Sequence, residues 1–392
     1  MPDLLLLGLL VVALAIGWAL GRRESRQQER PAPSLHRDYF VGLNYLLNDQ
    51  QDRAIETFIS ALEVNSDTIE THVTLGNLFR SRGEADRAVK IHQNLLARPF
   101  LDGHQGAWVQ LELSRDFLQL GLHDRAERLL KGLVKEEIHA EVRHHAKRLL
   151  VDLFEREGEW QQAIDEAVPQ LTRRHDDLRR AAAHWHCELA EEARASNSHG
   201  IARKHLKQAL SIDERCIRAN LIQAELCHDT GQYRQALKHL DRIPQQDADF
   251  IPTLLEPLER TYQLLDDAEG LIAHLHRLLE LNPCTSVMLL LAQTLRQVRG
   301  SDEEAIALIT EQLRKEPSLG GVDYLMGLYQ RSEASEGDPR FDLLRQHTQP
   351  LIKALPRHRC RRCGFSGEHL HWQCPRCRNW GTTKPITGIE GE

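Results

Sequence analysis

Eight cysteines are spread unevenly over 392 residues, and four of them cluster near the carboxyl end. Cys360-Arg-Arg-Cys363-Gly364-Phe365 and Cys374-Pro375-Arg376-Cys377 form two Cys-x-x-Cys hooks separated by ten residues. Each hook can fold back so that both thiolates and successive backbone N–H groups face one ion, and two hooks complete a tetrahedral shell of four sulfurs. Such a shell leaves no open position. An ion bound by Cys360, Cys363, Cys374 and Cys377 is therefore structural, and its binding is coupled to the folding of this short segment. Gly364 suits the tight turn behind the first hook, whereas Arg378 stands at the equivalent place behind the second. The intervening loop is long enough for a small hairpin only. His358, His369 and His371 stand nearby and are read as surface residues, because four sulfurs already satisfy the ion.

Zinc is the expected metal. Two close hooks also resemble rubredoxins, which keeps iron as the alternative. A redox dithiol uses one hook on a strand–helix unit, and the sequence offers none here. Seven Lys/Arg against the single acid Glu368 lie between Lys353 and Arg378. Arg359, Arg361, Arg362, Arg376 and Arg378 thus surround the hooks, as a solvated face or as a contact for anionic lipid headgroups or an acidic partner. Nucleic acid is not an expected partner, since the net charge is −7 and Phe365, Trp372 and Trp380 are the only aromatics near the basic run. No catalytic residues are expected. There is no phosphate-binding loop, no His-Glu-x-x-His and no nucleophile elbow. His36-Arg37-Asp38 has the look of a kinase catalytic loop, but Asn44 falls one position late and no Gly-rich nucleotide loop exists.

The elements that must carry this module are helical. Charged residues make up 27% of the chain and aromatics only 5%, a mixture that favours helices over strands. The order Gly42-x-x-Tyr45, Ala54, Phe58-x-x-Ala61 places small and apolar residues on two consecutive helices, and Gly76-x-x-Phe79 with Ala88 repeats it. The small residue continues at Ala126, Ala163, Ala202 and Ala236, at Leu271 as a departure, and at Ala305, in steps of 34, 38, 37, 39, 34, 35 and 34 residues. Gly83, Gly121, Gly158, Gly231 and Gly300 each stand five residues before that position, where a helix C-terminus needs φ > 0. An aromatic fills the gap at Tyr45, Phe79, Phe117, Phe154 and Tyr262, and is absent at Ala193, Cys227 and Arg296. This pattern resembles the tetratricopeptide repeat. It predicts eight helix pairs over about 35–316 and a ninth over 322–355, stacked into a superhelix because a single pair cannot bury its own apolar stripe. Four cysteines in this region, Cys187, Cys216, Cys227 and Cys284, read as buried free thiols.

Leu4 to Leu20 is an uninterrupted apolar run followed by Arg22, Arg23, Arg26 and Arg30. As a helix it spans roughly 26 Å, near the lower limit for crossing a bilayer core. The only side-chain charge before it is Asp3, which argues against a cleaved signal, and the positive-inside rule puts the bulk of the chain in the cytoplasm. The expected organisation is an all-α chain with a transmembrane anchor at 1–21, a tether at 22–34 and a repeat array at 35–355. A rubredoxin-like or zinc-ribbon metal module with a tail follows at 356–392.

Four features in this order carry a wider resemblance: the Arg-flanked anchor, Arg37-Asp38-Tyr39, Leu75-Gly76-Asn77-Leu78-Phe79-Arg80-Ser81-Arg82-Gly83-Glu84, and the hook pair closing on Lys384-Pro385-Ile386. Together they resemble the lipopolysaccharide assembly protein B family over essentially the whole chain. The resemblance implies a single-pass inner-membrane protein that restrains lipopolysaccharide synthesis and is not an enzyme. It implies an adaptor that presents the deacetylase LpxC to the membrane protease FtsH, checked by a membrane signal protein, with its metal module packed on the repeats. A scaffold that co-localises lipopolysaccharide synthesis and export proteins, without a role in proteolysis, is the alternative. A metal-dependent enzyme is a third class and requires an open coordination site.

Overall fold

The recurrence of small residues in phase with turn residues produces a chain of paired helices. The computed structural model describes residues 18, 41–42, 44–45, 50, 53, 57, 69–99, 101–135, 140–170, 176–300, 302–330 and 339–388. The expected anchor (Trp18 apart), the tether, His36-Arg37-Asp38 and nearly all of the first repeat pair lie outside these. Among the described residues no helix is long and apolar enough to cross a membrane.

Eight pairs follow one another among the described residues. They are α1 (Ile69–Ser81) with α2 (Ala85–Leu96), α3 (Gly103–Gln119) with α4 (His123–Lys135), and α5 (Ala140–Glu157) with α6 (Trp160–Ala167). Next come α7 (Asp176–Ala195) with α8 (His199–Ile212) and α9 (Ile217–Asp229) with α10 (Tyr233–Leu240). After the single turn α11 (Ile243–Gln246) stand α12 (Ile251–Leu265) with α13 (Ala268–Leu281) and α14 (Thr285–Arg299) with α15 (Asp302–Lys315). The last pair is α16 (Leu319–Tyr329) with α17 (Pro339–Ala354). The chain falls into two compact units, residues 1–149 and 150–392.

The turn between partners repeats one piece of chemistry. Gly83, Gly121, Gly158, Gly231 and Gly300 all have φ between 68° and 86°. Where the glycine is missing, Asn197 (φ 56°) and Asp266 (φ 54°) take the left-handed position instead, again five residues before Ala202 and Leu271. Asn and Asp are the non-glycine residues that adopt this conformation at least cost. After six of these turns the next residue donates its N–H to the carbonyl five positions back, among them Glu84 to Phe79 (2.9 Å), Leu122 to Phe117 (2.8 Å), Glu159 to Phe154 (2.9 Å), Ser198 to Ala193 (2.7 Å) and Gln232 to Cys227 (2.8 Å). This bond satisfies a carbonyl that the ending helix would otherwise leave unpaired. The acceptor is the aromatic position of the sequence pattern, and it keeps its register at Ala193 and Cys227, where no aromatic stands.

Packing explains why the second helix opens on a small residue. Ala88, Ala126, Ala163, Ala202, Ala236 and Ala305 are completely buried, and Leu271 nearly so. A larger side chain there would push the partner helix away. Phe79, Phe117, Phe154 and Tyr262 fill the space so left, and truncating a buried Phe of this kind costs about 3–5 kcal/mol. In the first unit Phe79, Ala88 and Ile91 form one cluster, with Leu113, Phe117 and Ala126 in another. Arg80 crosses between successive pairs there, bonding Glu112 at 2.6 Å and Asp116 at 2.8 Å. In the second unit a large core runs from Ile217 to Leu328, and Leu370 and Trp372 of the C-terminal segment pack against it.

Candidate metal centre

The carboxyl segment abandons helix after Ala354, where Pro356 cannot continue the ladder. Three short strands follow: β1 (His358–Cys360), β2 (Ser366–Gly367) and β3 (Thr383–Pro385), in the order β2–β1–β3, all antiparallel. The hairpins do not sit where the sequence suggested. The first turns at the hook itself, since β1 and β2 flank Cys360–Cys363, and the bridge Gln373–Trp380 likewise flanks Cys374–Cys377. The turning residues are the metal-ligand loops, so strand pairing aims the cysteines.

The two hooks are near copies. Gly364 donates its N–H to Cys360 O at 3.0 Å, and Arg378 donates to Cys374 O at 2.8 Å. Cys360 N–H then bonds Phe365 O at 2.7 Å, as Cys374 N–H bonds Asn379 O at 2.9 Å. Both closing residues are left-handed, Gly364 at φ 74° and Arg378 at φ 57°. The departure noticed at Arg378 is thus a backbone held in a conformation that a side chain makes costly.

The four Sγ atoms lie within 4.8 Å of one another. Cys360 and Cys377 sulfurs are 3.8 Å apart, and Cys363 and Cys374 sulfurs 3.6 Å apart. A tetrahedral ion with sulfurs at about 2.3 Å sets them about 3.8 Å from each other, so the cage has the right size. Cys360 and Cys374 are buried, Cys363 and Cys377 half-buried. Burial opposes ionisation of Cys360, but the Thr382 hydroxyl and the N–H groups of Cys363 and Arg362 overcome it and hold the thiol at about 6. Burial pushes Cys374 up to about 12. Cys377 is lowered against its own burial by the N–H and side-chain amide of Asn379. The site therefore favours thiolate at some sulfurs and needs a cation to hold all four as thiolates, which suits a closed structural metal shell.

His358, His369 and His371 take no place among the converging ligand atoms. His358 Nδ1 meets Glu368 O at 3.0 Å, and His371 stands edge-on to Phe365.

The basic residues around the hooks have an occupation the sequence did not reveal. Arg362 bonds Asp177 of α7 at 2.7 Å, Arg361 lies 3.9 Å from Asp249, and Arg378 lies 3.5 Å from Glu155 of α5. Lys384 reaches Asp247 at 2.6 Å and Asp249 at 3.0 Å. Arg361, Arg362, Arg378 and Lys384 therefore face acids of the repeats while the arginines stay partly exposed. The aromatics follow it. Trp380 stacks on His184 with ring centroids 5.2 Å apart, Trp372 stacks on Phe250 at 5.9 Å, and the Arg218 guanidinium lies over Trp372 at 6.0 Å.

Glu155 is the hub of this contact. One of its oxygens accepts from the indole N–H of Trp380 (2.9 Å) and of Trp185 (3.1 Å), and the other from Gln373 (2.8 Å). Gly381, at φ 60°, lets the segment come close enough, since a Cβ there would stand 3.0 Å from both His184 Nε2 and Arg180 Cδ. Burial, with Arg218 and Arg180 beside it, holds His184 down to about 3, so it packs as a neutral ring. Sequence reasoning missed Glu155, His184, Asp177, Asp247 and Asp249. Their partners lie more than a hundred residues away, and nothing in the local pattern marks them.

Residues 358–385 match the family described as rubredoxin metal binding domain. Residues 71–103, 111–175 and 193–253 match tetratricopeptide repeat families. The lipopolysaccharide assembly protein B of Escherichia coli strain K12 is 37% identical over 394 residues, covering 100% of both chains. That of Haemophilus influenzae is 34% identical over 401 residues, again covering 100% of both. Among solved structures, the C-terminal part of a repeat-containing protein from Cytophaga hutchinsonii aligns at TM-score 0.39 and 13% identity, over 62% of this chain and 95% of that one. That last likeness is too distant to inform function, whereas the identity to the two assembly proteins runs from end to end. With repeats and four-cysteine module in the same order and at full length, the chain belongs to the lipopolysaccharide assembly protein B family, a family of repeat-built assembly proteins rather than enzymes.

Proposed function

We propose that this protein is a membrane-tethered adaptor that regulates lipopolysaccharide biosynthesis by presenting the deacetylase LpxC to the membrane protease FtsH. The observation that carries the reading is end-to-end membership in a family whose members are named for lipopolysaccharide assembly. The architecture supports it. Stacked helix pairs expose a long surface for protein partners, and the metal module braces the pairs between α5 and α12 through Glu155, Asp177 and Asp249. The apolar run Leu4–Leu20 with its following arginines would act as the anchor and leave the array on the cytoplasmic side of the inner membrane.

The physical advantage is effective concentration. A client bound to an array held beside the membrane meets a membrane protease far more often than a free client does, with no new contact to the protease. The ion is zinc in this reading, with iron as the alternative, and it sets the fold of the module rather than any reaction. Depletion of this protein should lengthen the half-life of the deacetylase in a pulse–chase experiment. An unchanged half-life rejects the adaptor and leaves a scaffold that gathers synthesis and export proteins, with the membrane signal protein acting on that scaffold.

A further inference from the structure

A cavity of about 300 Å³ lies where the metal module meets α7 and the turn between α8 and α9. Four cationic side chains line it, Arg180, Arg215, Arg361 and Lys384, against two acids, Asp213 and Asp247. Among the described residues, only one of the acids is paired with a cation. Asp247 is held by Lys384 at 2.6 Å, and Asp213 accepts the backbone N–H of Arg215 at 3.0 Å. The arginines are not engaged to the same degree. Arg180 is 4.0 Å from Asp177 and Arg361 is 3.9 Å from Asp249, both at the outer edge of an ion pair, and the Arg215 guanidinium has no ion pair among the described residues. The N-terminus of α9, a helix of 13 residues, opens on the same space at Cys216 and Ile217, and no side chain caps it.

We propose that this cavity binds a phosphate monoester, held by Arg180, Arg215 and Arg361 and by the first N–H groups of α9. The chemistry favours phosphate over a carboxylate. Guanidinium forks match the oxygens of a phosphoryl group, a helix N-terminus favours concentrated negative charge, and four cations against two acids leave the lining net positive. The cavity is roomier than a phosphate ion needs, so the ester's organic part has space beside Trp372 and Phe250. Because Arg361 belongs to the module and Arg180 and Arg215 to the repeats, the ligand would bridge the two. Occupancy would then strengthen docking, which makes the seam a place where a phosphorylated small molecule or a lipid headgroup controls the module. This inference is independent of the adaptor reading.

The test uses the full-length, metal-loaded protein in detergent and inorganic phosphate at constant ionic strength, followed by isothermal titration calorimetry. One saturable site is expected, with Kd raised about tenfold or more in Arg215→Gln. Unchanged metal content and thermal midpoint in the absence of phosphate show that this variant is folded, and Arg180→Gln serves as a second variant. Displacement of phosphate by glycerol 3-phosphate but not by micellar phosphatidic acid identifies a soluble ester, and displacement by both identifies a headgroup. The proposal is overturned if no saturable binding is found, if chloride competes as well as the esters, or if both variants bind phosphate like the parent.

Discussion

Replacing Glu155 by Ala removes the acceptor on which the metal module rests. The two bonds that form only on docking are those from Trp380 Nε1 (2.9 Å) and Gln373 Nε2 (2.8 Å). Bonds to a charged acceptor contribute about 1.5–3 kcal/mol each. The Glu155 side chain is only 12% exposed, so the variant also escapes the cost of burying a carboxylate, which offsets part of the loss. Arg378, at 3.5 Å, adds little. The net weakening of docking is therefore about 2–4 kcal/mol, which multiplies the undocked fraction about thirty- to a thousandfold. The Trp185 bond is made whether or not the module is docked, so its loss lowers the stability of the repeats instead, by about 1–3 kcal/mol. Hydrogen–deuterium exchange separates the two effects. Amides of residues 372–386 should exchange much faster in Glu155→Ala, with Glu155→Gln intermediate because its amide oxygen still accepts the indole N–H groups. Exchange within twofold of the parent in the alanine variant would refute the argument that this carboxylate holds the module in place.

Further outcomes follow from the same geometry. Arg378→Gly should slow metal loss to a chelator, because relieving the left-handed strain at φ 57° contributes about 1 kcal/mol and forfeits only a 3.5 Å contact; faster loss would contradict this. Gly381→Ala should undock the module without emptying the cysteine cage, seen as faster exchange at unit metal stoichiometry. Cys374→Ser with Cys377→Ser should release the ion and disorder the segment, and metal retained at one per chain would exclude the four-sulfur site. His184 and His186 are buried neutral at about 3 and about 4, each held down first by burial. Their folded values lie below the unfolded one, so their contribution is complete above about pH 6.5 and is lost as pH falls toward the folded values. His184 alone costs about 2 kcal/mol at pH 5. The urea midpoint should therefore drop between pH 7 and pH 5, and drop less in His184→Gln.

The periodic part of this fold was open to reading because its signals are local. A turn that needs φ > 0 and a helix that needs a small residue in its first turn stand together, and both demands are written in residue type five positions apart at Gly83 and Ala88. Asn197 and Asp266 meet the same demand less visibly, and a search that admitted Asn and Asp beside Gly would have found them. The cysteine cage was legible for the same reason, as two hooks each closed within six residues. The seat of the module was not. Glu155 and Trp380 are 225 positions apart and meet only once α5, α7 and the C-terminal strands are in place. Charge could be counted along 353–378, but which acids would neutralise it depends on the stacking of helices and not on sequence distance. That is why three arginines of a run suited to lipid or partner contact, Arg361, Arg362 and Arg378, face acids of the repeats instead.

In the proposed adaptor the docked, metal-held module is part of the working surface. The most direct test is the half-life of the deacetylase, followed by pulse–chase, in cells depleted of the native chain and supplied with Glu155→Ala at matched abundance. A half-life lengthened toward that of cells with no chain at all is the predicted result. Turnover indistinguishable from that with the unaltered protein, in a variant shown by exchange to be undocked, would contradict it.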